Sequence, residues 1–342
     1  MKAIMYFKAV NKLGGVESFI YYLSKKYEFE FYYKEGDPIQ IQRLAKNIKV
    51  KKYNGEILEC DKFFVNYNPD IIDNVKAKEY IMMVHCDYSA VHFKPITNPK
   101  FTKYIGVSQY VCDVFTKMTG IPCELCYNPV YIDKPKVKKD NKLHFISATR
   151  LSGEKGGWRI DKMSEIMDKA GLDYIWTIYT DKRPNFKSKH IEFKDPKLDL
   201  TKEMAEASYL IQLSDAEAFC LSVAEALTLG TPVIVTDLPV YKELGLNKDN
   251  SIIVNLALTD FNVNDIKKKE FTYTPPKDNW ESHLPTKKTY NPDEIVITHV
   301  LRRYTDLILG RKLEKYKNVP EDIKMPISRA SYLEAKGLIE IV

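Results

Sequence analysis

Residues 214–233 have the sequence SDAEAFCLSVAEALTLGTPV, which predicts a loop, then a helix, then the approach to a strand. Apolar residues dominate its centre, and Gly230 is placed to end the helix in a left-handed conformation. Pro232 follows, and it precedes a β-branched run typical of a buried strand. The segment therefore predicts one unit of a parallel α/β sheet, with the helix beginning near Cys220.

A helix that begins there leaves the backbone amides of Leu221 and Ser222 without intrahelical acceptors, so they can hold phosphate oxygens. Glu217 lies in the loop before the helix and Glu225 lies within it. A carboxylate in such a place can accept hydrogen bonds from sugar hydroxyls. The alternative is that both glutamates only cap the helix or face solvent.

The same alternation of strands and helices extends outward in both directions. Residues 2–7 predict a strand, residues 9–15 a glycine loop, and the apolar spacing from Val16 to Leu23 a helix. Further strands are predicted at residues 62–66, 79–85, 104–107, 143–148, 174–179, 209–213 and 233–236. The chain is therefore predicted to be an α/β protein, with strands and helices alternating around a parallel sheet in each half.

Length and composition agree with two folded domains. The chain has 342 residues, against a usual domain size of about 150. Lys and Arg exceed Asp and Glu by 52 to 46, a net charge of +6, which could favour a phosphate-bearing partner or an anionic surface. No run of about 18 apolar residues and no cleavable signal sequence is evident, so we expect a cytoplasmic protein with free thiols. Cys123-x-x-Cys126 is unaccompanied by a second ligand pair, and a metal or redox site there is not favoured.

The domain boundary is predicted at residues 134–142, because KPKVKKDNK is rich in lysine and cannot bury an apolar face. A solvated linker is the simpler account of these lysines than a nucleic-acid site. The predicted domains are therefore residues 1–133 and 143–290. A helix capped by Asn291 and begun by Pro292, and a last helix with Ser331 and Glu334 as its capping box, are expected in the C-terminal segment 291–342.

Two further strand-to-helix junctions carry candidate binding residues. Gly14 and Gly15 permit close backbone approach to a ligand, but they lack the spacing of dinucleotide-binding and phosphate-loop motifs. Arg150 and Lys155 stand in a glycine-rich loop after the strand 143–148. Two cations there suit a diphosphate, since together they offset the charge of a departing nucleoside diphosphate. Both could equally be ordinary solvated side chains.

With these residues the chain resembles the retaining glycosyltransferases of the GT-B fold, of the broad family-4 type. The resemblance implies two Rossmann-like, doubly wound parallel-sheet domains that face each other across a cleft. The resemblance rests first on the E-x7-E pattern from Glu217 to Glu225. It spans roughly residues 1–255 and includes, in order along the chain, Gly14-Gly15, His85, Val107-Ser108, Asn128-Pro129-Val130, Asp133, Arg150-Leu151, Glu154-Lys155-Gly156, Phe219, Ala226, Gly230 and Pro232-Val233.

The resemblance implies a donor that is a nucleotide-diphosphate sugar, most simply a UDP-sugar, and no cofactor and no metal. It implies that Arg150 and Lys155 bind the diphosphate, that Glu217 lies beside the transferred sugar, and that Glu225 holds the ribose. The remaining implied contacts are His85 with the sugar, Gly14 and Gly15 with the diphosphate from the first domain, and the backbone of Phe219, Cys220, Leu221 and Ser222 with phosphate and sugar. The first domain is then the acceptor side and the second binds the nucleotide sugar, with the C-terminal segment crossing back to the first.

Four departures from the family pattern stand out: Cys220 and Thr149 replace glycines, Leu238-Pro239 replaces a glycine pair, and everything beyond about Lys267 is unfamiliar. A sugar-nucleotide epimerase on the same fold and an inactive transferase-like binding protein remain alternatives. The acceptor stays open among a glycan, a lipid-linked sugar and a polymer. The charge allows peripheral contact with the inner membrane surface, whereas a nucleic-acid acceptor is less favoured.

Overall fold

The computed structural model describes residues 1–91, 93–138 and 142–287, and beyond them the backbone of four short strands. The chain divides into two compact units, Met1–Thr286 and Lys287–Val342. Two large parallel sheets, of seven and six strands, belong to the first unit.

The first half of this unit alternates strands and helices from the start of the chain. Its elements are, in order, β1 (Ala3–Phe7), β2 (Ala9–Val10), α1 (Gly15–Lys26), β3 (Glu30–Tyr33), β4 (Glu35–Gly36), α2 (Pro38–Ala45), β5 (Lys49–Lys52), β6 (Leu58–Asn66), β7 (Val75–Val84), β8 (Lys103–Gly106), α3 (Gln109–Thr119) and β9 (Glu124–Leu125). A short 3-10 helix, Ile72–Asn74, precedes β7.

Seven of these strands form one parallel sheet in the order β5-β3-β1-β6-β7-β8-β9. The two small strands β2 and β4 pair separately. Phe19 and Leu23 of α1 bury one face of the sheet, and Val111 and Phe115 of α3 bury the other. A parallel sheet covered on both faces is the doubly wound arrangement expected from the sequence.

The second half of this unit, from Leu143 onward, again alternates strands and helices. Its elements are β10 (Leu143–Ala148), α4 (Gly157–Lys169), β11 (Tyr174–Tyr179), β12 (Ile191–Lys194), α5 (Thr201–Glu206), β13 (Tyr209–Gln212), α6 (Leu221–Leu229), β14 (Val233–Thr236), α7 (Pro239–Glu243) and β15 (Ser251–Val254). Three 3-10 helices, Gly153–Lys155, Val263–Asp265 and Trp280–Ser282, stand in its loops.

Its sheet is also parallel, with six strands in the order β12-β11-β10-β13-β14-β15. Met163 and Met167 of α4 cover one face, while Val223 and Leu227 of α6 cover the other. The prediction of two Rossmann-like, doubly wound parallel sheets, one in each half, is therefore confirmed. The strands predicted at 143–148, 174–179 and 233–236 have those bounds.

After β15 the chain returns to the first sheet as an irregular segment. Trp280 and Leu284 are fully buried, and they join the core formed by α1 and the first sheet. The indole Nε1 of Trp280 donates to the carbonyl oxygen of Tyr127 at 3.0 Å, and the amide of Glu28 donates to Pro285 at 2.8 Å. Residues 280–285 therefore bind the first sheet through buried contacts.

The described residues of the second unit form two antiparallel pairs: β16 (Glu294–Ile297) with β18 (Ile323–Pro326), and β17 (His299–Val300) with β19 (Ile339–Glu340). The prediction of a helix from Pro292 was wrong over residues 294–297, which form a strand. Three consecutive β-branched residues, Ile295, Val296 and Ile297, suit the extended conformation. The caps predicted at Asn291 and Ser331 lie outside the described residues. The linker at 134–142 and the crossing of segment 291–342 to the first domain stay predictions.

Candidate active site

Two loops of the second sheet leave its carboxyl edge side by side. The first follows β10 and leads into α4, and the second follows β13 and leads into α6. β10 and β13 are neighbouring parallel strands, with Ile146 opposite Leu210. Because parallel strands place their carboxyl ends at one edge, residues of both loops come together there.

Gly156 fixes the first loop against the second. It adopts φ +65°, and a Cβ there would lie 1.9 Å from the carbonyl oxygen of Leu213. Arg159, buried in the first turn of α4, donates to the same carbonyl oxygen at 3.2 Å and pairs with Asp215. The amide of Asp215 in turn donates to the carbonyl oxygen of Glu154 at 2.8 Å. These contacts set the position of the neighbouring Lys155.

Lys155 and Glu217 form an ion pair between the two loops. The Nζ of Lys155 lies 2.7 Å from Oε1 of Glu217. Burial alone lowers the pKa of Lys155, but the charge of Glu217 and its hydrogen bond outweigh this, so the pKa is raised. The same Oε1 also accepts from Ser214 Oγ at 2.7 Å and from Gln212 Nε2 at 3.2 Å. The carboxylate is thus held in one orientation by three donors.

The start of α6 lies directly after this pair. Cys220 is the residue before the helix and has φ +67° and ψ +74°, a left-handed conformation that favours glycine. Helix geometry leaves the amides of Leu221 and Ser222 without intrahelical acceptors. Burial raises the pKa of the Cys220 thiol to about 12, so the thiol is neutral and is not a nucleophile at neutral pH.

The first half of the chain holds the loop before α6 from the other side. Ser108 Oγ donates to the carbonyl oxygen of Ala218 at 2.6 Å. The carboxylate of Glu243, in α7, accepts from the amides of Gln109 and Tyr110 at 2.6 and 2.8 Å. A carboxylate at the first turn of α3 is favoured by the helix dipole. Phe219 is buried within the same contact region, with its ring 6.3 Å from that of Tyr127.

Glu225 faces the first half directly. Its Oε1 accepts a hydrogen bond from the hydroxyl of Tyr22, in α1, at 2.8 Å. Loss of solvent raises the pKa of Glu225 to about 7, although the Tyr22 hydrogen bond and the charge of Arg43 act in the opposite direction. A cavity of about 210 Å³ lies beside the carboxylate, with Asp199 and Thr201 also in its wall.

His85 follows β7 at the carboxyl edge of the first sheet. Its Nε2 lies 2.7 Å from Oδ1 of Asn66, and its ring lies against Phe19 with 5.0 Å between ring centres. Burial lowers the pKa of His85 to about 3, so the imidazole is neutral at physiological pH. It can take part in hydrogen bonds there but cannot act as a cationic acid.

Gly14 and Gly15 precede and begin α1, and their surroundings differ. A Cβ at Gly14 would lie 2.1 Å from Oε2 of Glu17, whose Oε1 accepts from the amide of Asn11 at 2.8 Å. A Cβ at Gly15 would meet nothing within 4 Å. The space next to Gly15 is therefore open to a ligand.

The structure brings together Lys155, Glu217 and the start of α6 from Phe219 to Ser222. Arg150 is exposed, and its charge acts on Glu154, next to Lys155, where it helps to lower the pKa of that carboxyl. No described contact joins Arg150 to Glu217.

Sequence reasoning gave no role to several residues that shape the site: Tyr22, Ser108, Gln212, Ser214 and Glu243. Gln212 gave a signal that could have been used, since it is an amide at the end of a strand that is otherwise buried and apolar. Tyr22 gave none, because it continues a helix that is already rich in apolar and aromatic residues.

Two features are absent from the described part of the chain. No helix there has the length and apolar character needed to cross a bilayer. No group of three or more His, Cys, Asp or Glu side chains there is arranged to hold a metal ion.

Comparison with known proteins adds one partial sequence match and several fold matches. Residues 184–261 match the family described as "Glycosyl transferases group 1". No curated protein matches the chain in sequence. The HepE protein of Anabaena, crystallised with UDP-glucose, is similar in structure with a TM-score of 0.61 at 14% identity, over 75% of this chain and 86% of that one.

Two other solved structures share the architecture. A glycosyltransferase of Rickettsia africae has a TM-score of 0.55 at 14% identity, over 74% of this chain and 84% of its own. The sucrose-phosphate synthase of Thermosynechococcus elongatus has a TM-score of 0.50 at 10% identity, over 75% of this chain and 86% of that one. The chain thus has the GT-B fold, and the family match within its second sheet domain supports a glycosyltransferase.

Proposed function

We propose that this protein is a retaining glycosyltransferase that moves a sugar from a nucleotide-diphosphate sugar to an acceptor hydroxyl without a metal ion. The observation that carries the proposal is the Lys155–Glu217 ion pair directly before the start of α6, where the first amides have no intrahelical acceptors. A fixed cation beside a helix N-terminus suits a diphosphate, and a fixed carboxylate suits sugar hydroxyls.

The donor is placed by the same residues. Lys155 and Arg150 offset the diphosphate charge, the amides of Leu221 and Ser222 hold its oxygens, and Glu225 holds the ribose. The structures of the similar HepE protein with UDP-glucose and with UDP support a UDP-sugar. Gly15 approaches the diphosphate from the first half, since the space that a Cβ would enter there is open.

Glu217 binds the transferred sugar through Oε2. All three described donors, from Lys155, Gln212 and Ser214, bond Oε1, so Oε2 is the oxygen we assign to the sugar hydroxyls. The neutral imidazole of His85 adds a hydrogen bond to the sugar from the first half. These contacts orient the anomeric carbon towards the acceptor side.

The reaction proceeds on one face of the sugar. The bond from the anomeric carbon to the phosphate oxygen breaks, a bond to the acceptor oxygen forms on the same face, and the acceptor proton passes to the departing phosphate. Double displacement needs a second carboxyl group across the anomeric carbon. The nearby carboxylates Asp215 and Glu243 are already engaged, by Arg159 and by the amides of α3. Lys155 and the α6 amides stabilise the charge of the leaving group, a role that in other transferases a metal fills.

Thermal-shift measurements with UDP-, GDP-, ADP- and CMP-sugars test donor binding, since a ligand that binds only the native state raises its stability. With the donor so found, NMR of the transfer or hydrolysis product gives its anomeric configuration. We expect retention, unchanged rates in EDTA, and turnover about two to three orders of magnitude lower in Lys155→Ala. An inverted product, loss of activity in EDTA, an epimerised nucleotide sugar, or wild-type rates in Lys155→Ala and Glu217→Ala would contradict the proposal.

A further inference from the structure

A hydrogen bond joins His85 to Asn66 at the carboxyl edge of the first sheet. Asn66 is the last residue of β6 and is fully buried, and the residues before it, Phe63 to Val65, are apolar. Its Oδ1 lies 2.7 Å from Nε2 of His85, which directly follows β7. An amide buried among apolar residues is costly unless its polar atoms are paired, so both ends of the Asn66 side chain need partners.

The second partner of Asn66 fixes which way its amide points. Its Nδ2 donates to the carbonyl oxygen of Tyr6, in the neighbouring strand β1, at 3.0 Å. A carbonyl oxygen only accepts hydrogen bonds, so the NH2 group of Asn66 faces Tyr6 and its oxygen faces His85. The reversed amide would place two acceptor oxygens against each other. Because β1 and β7 flank β6 in the sheet, this one amide links its strand to both neighbours.

The oxygen of Asn66 determines which ring nitrogen of His85 carries hydrogen. Because Oδ1 only accepts, Nε2 is the nitrogen that holds the hydrogen and donates it. Burial lowers the pKa of His85 to about 3, so the imidazole is neutral and Nδ1 keeps an unshared electron pair. Part of the His85 surface is accessible, and no described contact occupies Nδ1. Nδ1 is therefore available as a hydrogen-bond acceptor.

Two aromatic rings hold the plane of the imidazole. Phe19 of α1 meets it nearly edge-on, at 67° with 5.0 Å between ring centres, and Tyr67 lies at 48° with 5.7 Å between ring centres. A half-turn of the imidazole about its Cβ–Cγ bond would keep this plane but exchange Nε2 for a ring carbon. The buried Oδ1 of Asn66 would then lose its donor, which is costly. The position of Nδ1 is therefore fixed as well.

We propose that Asn66 is a positioning residue for the transferred sugar: it fixes His85 in the tautomer whose Nδ1 accepts a hydrogen bond from a sugar hydroxyl. This inference rests on the proposed function, in which His85 contacts the sugar. Nε2 has a single hydrogen and donates it to Asn66, so the ring nitrogen that meets the sugar is Nδ1, as an acceptor. The site therefore takes a sugar that presents a hydroxyl to His85, and disfavours one that presents only an acceptor oxygen there.

NMR of the imidazole nitrogens tests the tautomer without any substrate. Long-range proton–nitrogen correlation spectra distinguish a ring nitrogen that carries hydrogen from one that does not, and His85→Gln identifies the His85 signals by their loss. We expect Nε2 to carry the hydrogen in wild type and Nδ1 to carry none. Asn66→Ala should mix the two tautomers. Asn250→Ala, the matched control in the second half, also removes a buried amide that donates to a carbonyl oxygen, and it should leave the His85 signals unchanged.

Donor hydrolysis, which needs no acceptor, tests whether the tautomer matters for the sugar. With the UDP-, GDP- or ADP-sugar that raises the unfolding temperature of wild type, kcat/KM should be about tenfold lower in Asn66→Ala, as for the loss of one hydrogen bond. Because Asn66 acts through His85, the double variant Asn66→Ala/His85→Ala should be no slower than His85→Ala. That sugar nucleotide should also shift the Nδ1 signal of wild type, whereas the nucleoside diphosphate alone should not.

Four results would each overturn this inference and leave the proposed function standing. They are hydrogen on Nδ1 of His85 in wild type, an Nδ1 signal that the sugar nucleotide leaves unchanged, wild-type hydrolysis by Asn66→Ala, and additive effects of the Asn66 and His85 substitutions. Absence of binding by every UDP-, GDP- and ADP-sugar overturns the proposed function, and this inference with it.

Discussion

The Nζ of Lys155 lies 2.7 Å from Oε1 of Glu217, across two loops that enter the same edge of the second sheet. Only 16% of the lysine side chain and 10% of the glutamate side chain are exposed. Taking two charges out of water is costly, and the cost is recovered only with good geometry and further hydrogen bonds, which Ser214 and Gln212 supply to Glu217. The pair therefore keeps a cation and a carboxylate fixed at the site before any donor arrives.

Removing one member of the pair should destabilise the protein more than removing both charges. Lys155→Met leaves the Glu217 carboxylate buried without its counter-ion, at a cost of about 3 kcal/mol in the free energy of unfolding. The double variant Lys155→Met/Glu217→Gln should recover much of that loss. Urea unfolding of the four proteins in this mutant cycle measures the coupling, and additive effects of the two substitutions would contradict a direct interaction.

Gly156→Ala should be far more damaging than the same change at Gly171. Both glycines have similar positive φ values, +65° and +72°, so both alanines carry about 1 to 2 kcal/mol of left-handed strain. Only at Gly156 would the new Cβ lie 1.9 Å from the carbonyl oxygen of Leu213, whereas at Gly171 nothing lies within 4 Å. Thermal unfolding checks this difference, and equal losses of stability would show that the two loops are not in close contact.

Cys220→Gly should be more stable than Cys220→Ala. Both changes remove the buried sulfur, but only glycine accepts φ +67° without strain. The expected difference in the free energy of unfolding is about 1 kcal/mol in favour of glycine. A more stable Cys220→Ala would show that the left-handed conformation before α6 is incorrect.

Glu225 should make the stability of the protein fall as the pH rises. Its pKa is raised to about 7 in the folded state and is about 4.5 in the unfolded chain, so between these values the folded state binds more protons. The free energy of unfolding therefore decreases from pH 4.5 to 7, by about 3 kcal/mol at most for this group. Tyr22, Arg43 and Asp199 are the groups that act on its charge.

The comparison of wild type with Glu225→Gln isolates that effect. Glutamine keeps the shape and an acceptor for Tyr22, but it does not ionise. The variant should gain stability relative to wild type as the pH rises from 5 to 8. A constant difference between the two unfolding curves across that range would contradict the buried, weakly ionised carboxylate.

Much of the fold was predictable because its central strands are apolar runs. The residues of β10, β11 and β14 are largely buried, and the sequence of each strand is accordingly rich in apolar and aromatic residues. The edge strand β5 has the sequence KVKK and only Val50 as an apolar residue, so pairing with β3 holds it in place. A strand that is held by pairing and not by burial needs no regular spacing of apolar residues, so its sequence shows no hydrophobic periodicity.

The candidate site was predictable where a motif places its residues close together in the chain. Glu217 and the start of α6 belong to one segment, and glycine-rich loops indicated Lys155. Contacts between the halves were not predictable, because Tyr22 and Ser108 meet residues more than a hundred positions away. Their partners are set by how the two sheets lie against each other, and no local pattern contains that information.

Calorimetric titration with UDP and with uridine tests most directly whether Lys155 and the start of α6 bind a diphosphate. Lys155→Ala, and the charge-balanced Lys155→Met/Glu217→Gln, should bind UDP at least about tenfold more weakly than wild type and bind uridine equally well. Lys162→Ala, which removes a surface lysine of α4 that contacts Ala257, should change neither affinity. Wild-type affinity for UDP in both Lys155 variants would contradict the assignment of this site.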